Sequence, residues 1–130
     1  MEKLKKKIET SQKALKTFKN ILKEPYSEIT RDASIQRFEY YFEIIWKTVK
    51  LYLEYQEGII CNSPKSCFRE LFSIGLIDEN KTIKLLEMTD DRNLTSHTYD
   101  EKLAKELYNK LGEYYKLMEE ILEKIKKHVK

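Results

Sequence analysis

The chain has 130 residues with 25 basic and 22 acidic side chains, a net charge of +3, and only 3 Gly and 2 Pro. That length argues for one domain with its own core, and a composition 41% hydrophobic and 36% charged with so few breakers favours helices throughout. The small net charge excludes the basic excess of a dedicated DNA-binding domain, and no apolar run approaches the roughly 20 residues of a membrane-crossing helix.

The first expected helix covers about residues 3–23, where Leu4, Ile8, Leu15, Phe18 and Leu22 form one apolar stripe and Lys and Glu fill the other face. Pro25 breaks it. A second helix is expected to begin near Thr30 or Asp32 and run to about Glu57, with Gly58 as its stop. Its row of Ile35, Phe38, Phe42, Ile45 and Val49 is widened by Tyr40, Tyr41, Ile44 and Trp46. A helix apolar around that much of its circumference must meet more than one neighbour, so it is a central helix or part of a subunit interface.

Ser63-Pro64 pairs a hydroxyl cap with proline at the first helical position. It starts a short helix expected to bury Cys67, Phe68, Leu71 and Phe72 before Gly75. A fourth helix runs from Glu79 to about Leu94 with Ile83, Leu86 and Leu94 or Met88 facing inward. The last helix opens on a capping-box pattern, Thr98-x-x-Glu101, and carries near-heptad apolar positions from Leu103 to Val129. The two cysteines, Cys61 and Cys67, have no His or Cys near enough in sequence to complete a zinc pattern, so no metal site is expected. Half-buried thiols are the favoured reading of the pair, with a disulfide as the alternative. The basic start leads into an amphipathic pattern and not an apolar signal core, so the expected location is cytoplasmic.

Between the fourth and fifth helices lies Asp90-Asp91-Arg92-Asn93-Leu94-Thr95-Ser96-His97-Thr98-Tyr99-Asp100. Arg92 offers a permanent cation with a planar fork of donors suited to phosphate. His97 is the side-chain type that changes charge most easily near neutral pH, and Tyr99 adds a hydroxyl. With Asn93 these are tools for a phosphodiester, placed where the start of a helix favours an anion. The plain alternative is that Arg92 and His97 serve only the last carbonyls and dipole of the preceding helix. No Gly-rich phosphate loop, HExxH motif or strand pattern points to other chemistry, and His128, in a Lys-rich tail, is given no role.

The string Asp91-Arg92-Asn93-x-x-Ser96-His97-Thr98-Tyr99-Asp100 resembles the signature of the HEPN superfamily, and more narrowly the R-x4-H-x-Y motif of its HepT branch. Arg31-Asp32-Ala33-Ser34-Ile35-Gln36-Arg37-Phe38-Glu39 with Trp46-Lys47, and Ser63-Pro64 through Gly75-Leu76-Ile77-Asp78, resemble the nucleotidyltransferase substrate-binding proteins. One departure is Leu85-Leu86-Glu87-Met88, where the family often carries a tryptophan before the methionine. The resemblance implies an all-α, up-and-down antiparallel bundle of four long helices plus one short, pairing as a homodimer, with a cognate small nucleotidyltransferase as partner. It implies one of two activities. In the first, the chain is a metal-independent, cofactor-free ribonuclease toxin. His97 would move protons, Arg92 would stabilise phosphoryl charge, Asn93 would orient either, Asp91 would tune them, and AMP attached to Tyr99 would silence the site. In the second, the chain is a non-catalytic subunit that presents a nucleotide or other substrate to the transferase.

Overall fold

The computed structural model describes residues 2–129. Five α-helices follow in order: α1 (Glu2–Leu22), α2 (Glu28–Tyr52), α3 (Pro64–Ser73), α4 (Glu79–Leu94) and α5 (Glu101–His128). A π turn, Leu53–Glu57, extends α2, and a 3-10 turn, Thr95–His97, follows α4. No strand occurs among the described residues, and no helix among them is long and apolar enough to cross a membrane.

The four long helices run up, down, up and down. Ser11 meets Thr48 across α1 and α2, and Thr17 meets Tyr41, so the two helices are antiparallel. Gln12 meets Glu123 and Phe18 meets Tyr115, which sets α5 antiparallel to α1. Lys81 pairs with Glu120 and Asp91 with Lys110, which sets α4 antiparallel to α5. The core is filled by one face of each helix: Phe18 from α1, Phe38, Phe42 and Tyr52 from α2, Phe68 and Leu71 from α3, Leu85 and Met88 from α4, and Leu111 and Met118 from α5. Each such side chain contributes about 1.5–3 kcal/mol by leaving water.

Local chemistry explains most boundaries. Ser63 and Ser66 cap α3 reciprocally with Pro64 behind the cap. Gly58 and Gly75 end their helices at φ 65° and 79°, a left-handed conformation that favours glycine. Several expectations are corrected. α2 starts earlier, at Glu28, because Ser27 accepts from the Thr30 amide while the Thr30 hydroxyl accepts from the Ser27 amide. The inward face of α4 is Leu85, Met88, Thr82 and Thr89, whereas Ile83 and Leu94 are 47% and 40% exposed. Apolar residues surround this helix, and its packing against α3, α5 and α2 selects one face. Phe72 of α3 is 46% exposed, not buried. Cys61 and Cys67 are not free thiols. The segment after Gly58 turns back under α3, brings their Cα atoms to 5.3 Å and joins them in a buried disulfide.

Candidate functional site

The last turn of α4, the 3-10 turn and the short turn that leads into α5 carry every motif residue. Asp91 faces α5, where its carboxylate accepts hydrogen bonds from the Tyr114 hydroxyl and from Lys110 Nζ at 3.1 Å. Burial first, and the bond to Asp91 second, push the Tyr114 hydroxyl well above the ordinary phenol range, so it stays a donor. Asp91 is thus held against α5.

Arg92 faces α2. Its guanidinium lies 3.6 Å from Glu39 and 3.9 Å from Glu43, two carboxylates one turn apart. Its Nη1 donates to the Thr95 hydroxyl at 3.0 Å, and that hydroxyl donates to the Arg92 carbonyl at 2.8 Å. Thr95 is buried, and so is Arg92 Nε, which has no hydrogen-bond partner among the described residues. The Arg92–Glu distances exceed the roughly 2.7–2.9 Å of a tight charge-assisted bond, so neither carboxylate grips the fork closely. Arg92 closes one side of an open groove of ≈ 420 Å³ lined by Gln36, Glu39, Tyr40, Glu43 and Ile44 of α2.

Asn93 and His97 are exposed. Tyr99 is 84% exposed, and its ring stands edge-on to the His97 ring with centroids 6.2 Å apart. The 3-10 turn holds His97 in place: the Thr98 hydroxyl donates to the Thr95 carbonyl at 3.2 Å, and the Asp100 amide donates to the His97 carbonyl at 3.1 Å. The expected Thr98-x-x-Glu101 capping box does not form. Asp100 is the cap of α5, accepting from the Lys102 and Leu103 amides at 3.0 and 3.3 Å, because the Thr98 hydroxyl is spent on the turn. The cap changes the electrostatics. The anion-binding amides at the start of α5 are filled by the chain's own carboxylate, and Glu101 adds a second negative charge. A phosphate at this turn must be held by side chains.

The structure therefore brings His97 and Tyr99 into contact and sends Asp91 to α5 and Arg92 to α2. Sequence reasoning missed Glu39, Glu43, Thr95 and Tyr114. Only the spacing of four between Glu39 and Glu43 signalled anything in advance, since it sets two carboxylates on one face.

Comparison with known proteins agrees with this architecture. Residues 3–127 match the family model described as nucleotidyltransferase substrate binding protein like. The probable ribonuclease HepT of Haemophilus influenzae is 32% identical over 85 residues, 62% of this chain, and the match spans only 57% of that relative's length. A crystal structure of a protein from Thermus thermophilus is 42% identical, with a TM-score of 0.85 over 88% of this chain and 98% of that one. A structure from Haemophilus influenzae, described as revealing the fold of a substrate-binding domain of a nucleotidyltransferase, shares the fold at 21% identity. Its TM-score is 0.72 over 91% of this chain and 98% of that one. The chain belongs to the nucleotidyltransferase substrate binding protein like family, and it folds as a helical bundle.

Proposed function

We propose that the chain is a metal-independent ribonuclease, the toxin half of a toxin–antitoxin pair, silenced when a cognate small nucleotidyltransferase attaches AMP to Tyr99. The observation that carries the reading is the open pairing of His97 with Tyr99 one turn beyond an oriented arginine. His97 is exposed and free to exchange protons with solvent and with an RNA 2′-hydroxyl. Arg92 offers fixed positive charge to the phosphoryl oxygens as negative charge builds on them, and Asn93 lies beside it to orient the phosphate. An adenylyl group on Tyr99 would stand over the His97 ring and occupy the space an RNA phosphate needs.

A single histidine does not readily act as both acid and base. The proposal therefore includes a homodimer in which two copies of Arg92 and His97 share one cleft. The exposure of Tyr40, in the groove beside Arg92, and of Leu94 supports an interface of this kind. The setting is cytoplasmic. Intracellular disulfides are a feature of hyperthermophiles, whose proteins are rich in Lys and Glu, as this one is.

A second reading is kept because one observation favours it. Glu39 and Glu43 already flank Arg92, and an arginine so paired suits a subunit that binds a nucleotide without turning it over. RNA cleavage separates the two readings. Partner-free protein is expected to cut RNA in the presence of chelator, and His97→Ala to lose about 100- to 1000-fold in rate with its helical content intact. Absence of cleavage by the wild-type chain would leave the binding subunit as the function, and full activity in His97→Ala would overturn the role given to His97.

A further inference from the structure

We infer that Tyr114 is the positioning residue of the Arg92 site, acting through Asp91 on α4 and Phe38 on α2. This rests on the reading of Arg92 as the charge that meets phosphate, whether in cleavage or in binding. Successive helical side chains project about 100° apart around the axis. Asp91 and Arg92 are successive, so fixing the direction of one fixes the direction of the other. Asp91 points at α5, where the Tyr114 hydroxyl and Lys110 Nζ hold its carboxylate, and Arg92 consequently points at Glu39 and Glu43 of α2.

The other end of Tyr114 completes the argument. Its ring stacks on Phe38 with centroids 5.6 Å apart and 19° between planes. Phe38 immediately precedes Glu39, one of the two carboxylates flanking Arg92. One side chain thus touches both walls of the Arg92 site: the hydroxyl sets the rotation of α4's last turn, and the ring sets the height of α2 beside it. Tyr114 is 4% exposed and Asp91 8%, so neither contact is diluted by solvent. The other ion pairs between α4 and α5, Lys81–Glu120 and Lys84–Glu113, have much more exposed partners, and exposed pairs hold geometry weakly. Displacing a reacting group by about 1 Å can cost about 100-fold in rate.

Tyr114→Phe keeps the ring on Phe38 and removes only the hydroxyl. In the full chain it is expected to lower kcat for RNA about 10- to 100-fold with KM within about threefold, and to shift or broaden the Arg92 Nε–Hε resonance in a nitrogen-15 spectrum. Asp91→Asn, which keeps an acceptor for Tyr114, is expected to retain the wild-type Arg92 resonance. Should Tyr114→Phe not fold, Asp91→Ala, which leaves the stacked rings in place, is expected to move the same resonance. An Arg92 resonance and kcat unchanged in a folded Tyr114→Phe with a lower melting temperature would make Tyr114 merely structural and overturn the inference. The resonance reports on Arg92 even if the wild-type chain cuts no RNA, so failure of the ribonuclease reading and failure of the positioning role are told apart.

Discussion

The two halves of the motif stretch are built differently. Asp91, Arg92 and Thr95 are tied: each has side-chain partners, and the ties reach both α5 and α2. His97 and Tyr99, a few residues on, are exposed and touch mainly each other. Fixed charge is useful only where its position is set in advance, because a donor that must reorganise loses its advantage. In the proposed ribonuclease, a proton carrier and a modification target must instead be reachable by RNA and by another protein. The contrast explains how one short stretch serves as both a rigid electrostatic element and an open surface.

Several changes would break or sharpen that contrast. The largest effect on stability is expected behind the tied half. The disulfide closes a short loop onto α3, which packs on α4, and Lys65 of α3 pairs with Asp90 of α4 at 2.6 Å. Reduction, or Cys61→Ala with Cys67→Ala, is expected to lower stability by about 2–3 kcal/mol in denaturant titrations. Amide exchange should quicken in α3 and α4 before α1. Exchange rising equally everywhere would show that the disulfide does not act through α3. Next comes Thr95→Val, an isosteric change that removes the hydroxyl bonded to Arg92 Nη1 and to the Arg92 carbonyl. It should cost about 1 kcal/mol, read from the same titration. The smallest effect belongs to the open half. Tyr99→Phe is expected to stay within about 0.5 kcal/mol of wild type, and a larger loss would mean that Tyr99 is a structural part of the turn.

Much of the fold was legible in the sequence because its signals are local. Pro25, Ser63-Pro64 and the glycines at 58 and 75 punctuate the chain, and α1, α2 and α5 carry clear apolar stripes. What escaped was decided by competition or by distance. Thr98 and Asp100 both suit a cap, and the turn used Thr98 first. Ile83 and Leu85 are equally apolar, and only the packing of α4 into the bundle buries one and leaves the other exposed. A separation of six between Cys61 and Cys67 says nothing of whether the chain between them folds back. At the candidate site, Arg92, His97 and Tyr99 stood out by chemistry. Glu39, Glu43 and Tyr114 could not, since they meet the motif only when α2 and α5 pack against α4.

The central claim is that Tyr99 is the handle by which the site beside His97 is closed. Its most direct test is the intact mass and peptide map of the protein after incubation with its cognate nucleotidyltransferase, ATP and magnesium, together with an RNA cleavage assay on the product. The account predicts AMP on Tyr99, none on Tyr99→Phe, an unchanged helical spectrum and lost cleavage in the modified protein. No added mass, or AMP on another residue with cleavage unaltered, would contradict it.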